Sequence, residues 1–80
     1  MEDEQILGQI SALVDEEEQL RTRHEESPLS QDERRRVQQI EVALDQCWDL
    51  LRQRRARREF GDDPDAAGVR AAETVERYRQ

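Results

Sequence analysis

Lysine is absent from this 80-residue sequence, and cysteine, tryptophan, tyrosine and phenylalanine occur once each. A single cysteine cannot form an internal disulfide, which fits a reducing cytoplasm. No apolar run approaches the roughly 20 residues that span a membrane, and the acidic start lacks the positive charge of a signal peptide. We therefore expect a cytoplasmic protein with no membrane partner.

Motifs for catalysis or cofactor binding are missing as well. The sequence has no glycine-rich phosphate loop, no Ser-His-Asp set and no paired zinc cysteines. These absences predict a protein that is not an enzyme, with no catalytic residues and no cofactor.

Large apolar residues are scarce, since Leu, Ile, Val and Phe together make about one fifth of the chain. With a net charge of -7, the composition approaches that of disordered proteins. A chain this short buries only about 60% of its unfolded surface. We therefore expect a second subunit to complete the core. The acidic charge also argues against non-specific nucleic-acid binding, because the protein would repel phosphates.

The first predicted helix covers residues 2–26. Acidic residues fill its first turn, where the helix dipole favours them, and apolar residues recur at steps of three and four. A short loop follows, because Pro28 disfavours helix at Ser27.

The second predicted helix covers residues 31–60 and begins at a capping box formed by Ser30 and Glu33. The loop is short, so the two helices are expected to pack as antiparallel neighbours. The predicted core of this hairpin consists of Ile6, Ile10, Leu13, Leu20, Val37, Ile40, Leu44, Cys47, Trp48 and Leu51.

Residues 61–80 form a tail after the hairpin of residues 1–60. Gly61 suits a helix C-terminus, and Pro64 suits the first position of a new helical turn. Val75 and Tyr78 are three residues apart, so the tail forms either one short helix against the hairpin or a segment ordered by a partner.

A second apolar row makes the predicted hairpin wider than a single helix contact needs. Leu7, Val14 and Leu50 are predicted to form an intersubunit face. Trp48 joins either the core or this interface, where tryptophan is enriched. The sequence thus predicts an all-α hairpin that dimerises into an antiparallel four-helix bundle and acts as a protein interaction or adaptor module.

Arginines cluster near the end of helix 2, at Arg52, Arg54, Arg55, Arg57 and Arg58. The favoured interpretation is that they pair with the acidic residues at the start of helix 1 and after Gly61. A second interpretation is an interaction surface for an acidic protein. The least favoured is a regulatory binder of nucleic acid or of a ribonucleoprotein machine, since no aromatic residues are interleaved to stack bases.

Two further candidate sites are weak. Glu17, His24 and Glu33 share the loop end of the hairpin, but bundle metal sites need more Glu and His ligands than this chain offers, so we expect no metal. Cys47 is predicted at the opposite end from His24, which leaves it without a base and favours a small buried side chain.

Three segments resemble a group of short actinobacterial proteins that constitute a domain of unknown function. The segments are LRTRHEE at residues 20–26, LDQCWDLLRQRRARREFGDDPD at residues 44–65 and VERYRQ at residues 75–80. The resemblance implies a small α-helical hairpin and a GC-rich source, which also fits the exclusive use of arginine. It implies no activity, substrate or catalytic residue.

Overall fold

The computed structural model describes the backbone of residues 2–79 and the side chains of residues 2–76. The order of elements is α1 (Asp3–Glu26), α2 (Gln31–Glu59), a 3-10 turn (Pro64–Ala66) and α3 (Ala72–Arg79). No strand occurs in the described part of the chain. Within that part, no helix combines the length and apolar character needed to cross a membrane. The all-α fold class is therefore confirmed.

The capping chemistry sets the start of each long helix. The Gln5 side chain accepts a hydrogen bond from the Glu2 N–H at 2.9 Å, so α1 begins at Asp3. Glu33 accepts from the Ser30 N–H at 2.9 Å, and its own N–H donates to the Ser30 hydroxyl at 3.1 Å. The predicted capping box is thus confirmed, and both helix starts agree with the sequence to within one residue.

Gly61 ends α2, as the sequence predicts. Its φ of 77° lies in the left-handed region, which glycine adopts at no steric cost. The Gly61 N–H donates to the Arg58 carbonyl at 3.2 Å, and the Asp62 N–H donates to the Arg57 carbonyl at 2.7 Å. These two bonds are those of a Schellman motif, so the chain leaves the helix with its last carbonyls satisfied.

The two long helices form the predicted antiparallel hairpin. Near one end, Cys47 Sγ lies 3.9 Å from Gln9 Oε1. Towards the loop, Arg36 Nε donates to Glu16 Oε2 at 2.5 Å. The main apolar cluster is small. Three buried residues form it, and four half-buried residues pack against it, one of them from the tail; the full set is Ile6, Ile10, Leu50, Leu44, Cys47, Leu51 and Ala67. Elsewhere in the hairpin, Leu20 and Ile40 are also buried, as predicted.

The core differs from the predicted one at two residues of α2. Trp48, predicted either in the core or at the interface, is 45% exposed and is not a core residue. Leu50, predicted on the intersubunit face, is 6% exposed and belongs to the core. Leu50 comes one position before Leu51, whereas Trp48 comes one position after Cys47, and both Leu51 and Cys47 belong to the predicted core of the hairpin. The 100° step of the helix therefore turns them to opposite sides of the hairpin.

The tail folds back along α2. Gln53 Nε2 donates to the Gly68 carbonyl at 2.8 Å, and Gln46 Nε2 donates to the Arg70 carbonyl at 3.1 Å. From α3, Val75 is 1% exposed. The predicted short helix is therefore present, while the side chain of Tyr78, its other expected anchor, lies outside the described residues.

Candidate interaction surfaces

Arg54 is buried and paired within the chain, as the favoured interpretation of the arginine cluster expects, so its side chain adds little to an exposed surface. Its side chain is 5% exposed, although a guanidinium is strongly hydrated when free. Nε donates to Asp3 Oδ1 at 2.6 Å, while Nη1 donates to Asp65 Oδ1 at 2.8 Å and to the Pro64 carbonyl at 3.2 Å. Arg54 thus joins α1, α2 and the 3-10 turn.

Asp3 receives a second cation, because Arg58 Nη2 donates to its Oδ2. The hydrogen bonds from Arg54 and then from Arg58 lower the pKa of the Asp3 carboxyl below its usual 3.8. The hydrogen bond from Arg54 likewise lowers the pKa of Asp65. These contacts support the interpretation that the arginines neutralise the acidic start of α1.

Within the described part of the chain, the other three arginines form no hydrogen bond or ion pair with Asp3. Arg52 and Arg55 are exposed, and Arg57 is half-buried. Arg55 Nε pairs with Glu59 Oε1 at 3.2 Å, where both side chains are largely exposed. The surface that the cluster offers to a partner is therefore smaller than the sequence indicates.

Three large apolar side chains share one broad side of the hairpin. Leu7 is 47% exposed, Val14 is 37% exposed and Trp48 is 45% exposed. They come one position after the predicted core residues Ile6, Leu13 and Cys47, respectively. In an antiparallel pair of helices, positions that follow the core residues by one turn to the same side of the pair. We call the surface formed by Leu7, Val14 and Trp48 the open face. It is the predicted dimer interface without Leu50.

The opposite side of the hairpin carries the tail, and beside the tail runs an open groove of about 540 Å³. Leu13, Ala43 and Cys47 line its floor, and Val69 of the tail stands at its rim with 64% exposure. The tail therefore covers part of the apolar surface on this side.

The two carboxylates of the candidate metal site are engaged in ion pairs. Glu17 Oε1 lies 3.1 Å from Arg21 Nη2, and Glu33 Oε2 lies 3.3 Å from Arg23 Nη2. His24 is exposed. Among the described residues, no group of three His, Cys, Asp or Glu side chains is arranged to hold a metal ion.

Cys47 is half-buried between α1 and α2. Burial raises the pKa of its thiol, which reduces the thiolate fraction at neutral pH. This placement agrees with a packing role for the side chain.

Sequence reasoning missed the polar residues that hold the tail. Asp49 is 5% exposed, and its Oδ2 lies 3.4 Å from Arg70 Nε. Gln46 and Gln53 flank Asp49 on the same side of α2 and bind tail carbonyls. The signal in the sequence is their spacing of three and four residues beside Leu50, which places polar groups next to a buried position.

The sequence matches the family described as "Protein of unknown function (DUF2630)" over residues 2–80. Similar proteins include the uncharacterized proteins Mb0922c of Mycobacterium bovis and Rv0898c of Mycobacterium tuberculosis. Each is 48% identical over 77 residues, which cover 95% of this chain and 88% of the relative. No solved structure matches the chain. The extent of the family match and the identity to these relatives show that the chain belongs to the DUF2630 family.

Proposed function

We propose that this protein is a non-enzymatic interaction module of the cytoplasm that self-associates as a homodimer through the open face. The observation that carries the proposal is the open face itself. Leu7, Val14 and Trp48 lie on one side of the hairpin, away from the tail that covers the other side.

The size of the hairpin supports this proposal. A standard interface takes about 800 Å² from each partner. The molecule measures 50 × 25 × 16 Å, so one broad side has room for such a contact. Tryptophan at the centre of an interface commonly contributes a large share of the binding energy. Packing two open faces together forms the predicted four-helix bundle.

Binding of nucleic acid through Arg52 to Arg58 is the weaker alternative. Three of the five arginines, Arg54, Arg55 and Arg58, contact carboxylates of the same chain, and the net charge of -7 opposes a phosphate backbone. An acidic protein partner at the exposed Arg52 and Arg55 is a second alternative, and these arginines follow Trp48 by one and two turns on the same helix.

The test is a pair of charge substitutions on the open face. In Leu7→Glu/Val14→Glu, two carboxylates replace exposed apolar groups, so folding is retained while the dimer dissociates. The matched control is Val69→Glu, which places a carboxylate on an exposed apolar position at the rim of the groove. Light scattering is expected to give a monomer for the first variant and a dimer for the control. An unchanged dimer in the first variant contradicts the interface.

A further inference from the structure

Two opposite charges flank Trp48 symmetrically on α2. Glu41 lies seven residues before Trp48, and Arg55 lies seven residues after it. Seven residues make almost two helical turns, so the three side chains lie within about 40° of one another around the helix. Glu41 is exposed, and the side chain of Arg55 is 79% exposed.

From this symmetry we infer that the two copies pack with their α2 helices antiparallel and with the two-fold axis at Trp48. The inference rests on the proposed dimer and defines its orientation and register. In an antiparallel two-fold pair, a residue that precedes the axis by a given number of positions faces, in the other copy, the residue that follows the axis by the same number. Glu41 of each copy then faces Arg55 of the other, and the two Trp48 side chains meet at the centre.

Charge complementarity distinguishes this arrangement from a parallel one. If the α2 helices packed in parallel, Glu41 would face Glu41 and Arg55 would face Arg55. Like charges across an interface are unfavourable and help to exclude the wrong arrangement. The antiparallel arrangement gives two opposite-charge pairs at the ends of the apolar contact.

Arg55 is able to reach the second copy at little cost. Its bond to Glu59 Oε1 is 3.2 Å long and joins residues four apart on an exposed helix surface. Such pairs are weak in water and exchange readily. Arg55 thus keeps a local partner in the monomer and gains Glu41 of the second copy in the dimer.

The register also brings α1 into the contact. The 3.9 Å contact between Cys47 Sγ and Gln9 Oε1 sets Trp48 at about the level of Leu7 to Gln9. Leu7 therefore lies close to the two-fold axis and approaches its own equivalent in the second copy. The second copy then covers Leu7 and Trp48, the two exposed apolar residues nearest the axis.

Reversing the two charges tests the inference. Glu41→Arg and Arg55→Glu each put like charges in contact, and each is expected to raise the dimer Kd roughly five- to tenfold. The exchange Glu41→Arg/Arg55→Glu keeps the net charge at -7 and restores the Kd to within about threefold. The matched control, Arg35→Glu, makes the same charge change on α2 about 140° away from Trp48 and leaves the Kd unchanged.

A disulfide test does not depend on the strength of surface charges. In a Cys47→Ser background, the double variant Glu41→Cys/Arg55→Cys is expected to form covalent dimers on mild oxidation. Each single cysteine variant is expected to stay monomeric under denaturing conditions, because the same position in the two copies lies about 20 Å apart along the helix axis.

The outcomes separate the inference from the proposed dimer. A wild-type dimer in which one single cysteine variant cross-links as well as the double variant contradicts the register and leaves the dimer standing. The register is also contradicted if each single reversal raises the dimer Kd and the exchange Glu41→Arg/Arg55→Glu does not restore it. A wild-type chain that stays monomeric contradicts the proposed function itself.

Discussion

Arg54 Nε lies 2.6 Å from Asp3 Oδ1, which joins residues 51 positions apart in the chain. The same guanidinium binds Asp65 and the Pro64 carbonyl. The buried Arg54 guanidinium on α2 therefore binds the beginning of α1 and the 3-10 turn.

Replacing Arg54 is expected to loosen that end of the hairpin. Arg54→Gln removes the charge and most of the hydrogen bonds, so it should lower the Tm by roughly 5 to 10 °C. Arg52→Gln is the matched control, since Arg52 is exposed on the same helix and its loss should shift the Tm by about 2 °C or less. Thermal unfolding at fixed protein concentration measures both, and equal shifts contradict a structural role for Arg54.

Acid should weaken the fold through the carboxylates that pair with arginine. The pKa values of Asp3 and Asp65 lie below the usual 3.8, so the unfolded chain takes up protons first as the pH falls. Stability is therefore expected to be constant above about pH 5 and to decrease as the pH falls through 3.8 and below.

The same pH series on Arg54→Gln provides the control. Without the guanidinium, Asp3 and Asp65 lose the first cause of their lowered pKa, and the variant should show a shallower acid dependence. Unfolding midpoints from pH 6 to pH 2.5 measure this difference. If the unfolding midpoints of the wild type and of Arg54→Gln fall equally with pH, the acid sensitivity comes from groups other than Asp3 and Asp65.

Val75 is expected to anchor the tail. It is 1% exposed, and Val75→Ala should reduce the free energy of unfolding by about 2 kcal/mol through lost burial and a residual cavity. Val69→Ala makes the same chemical change at 64% exposure and should cost less than about 0.5 kcal/mol. Urea unfolding compares the two, and similar costs would show that the tail packs differently.

The arginine cluster is not expected to bind RNA or DNA under ordinary salt conditions. Internal pairing of Arg54 and Arg58 leaves few cations against a net charge of -7. Fluorescence anisotropy with a labelled oligonucleotide should show no binding at about 150 mM salt. Tight binding that disappears in Arg52→Glu/Arg55→Glu would instead favour the nucleic-acid alternative.

Local signals in the sequence were sufficient for the hairpin. Ser30 with Glu33 defined the start of α2, and Gly61 defined its end, because capping depends on residues within one turn. The antiparallel pairing followed from the short loop. The contact between Arg54 and Asp3 was also anticipated, since opposite charges occupy the same end of an antiparallel hairpin.

The tail could not be placed by the same reasoning. Periodicity assigns Leu50 and Trp48 to opposite flanks of α2, but it does not say which flank a later segment will cover. The structure shows that Gln46 and Gln53 bind tail carbonyls on the Leu50 side. Trp48 was left exposed for that reason, and periodicity alone could not decide between its two predicted places, the core and the interface.

Molar mass in solution, measured by light scattering over a wide range of concentrations, tests the proposed function most directly. One chain has a mass of 9.5 kDa. Self-association through the open face predicts a reversible rise to twice that mass as concentration increases, with no further growth, because the tail covers part of the second side. A mass of 9.5 kDa at every concentration would contradict self-association through Leu7, Val14 and Trp48.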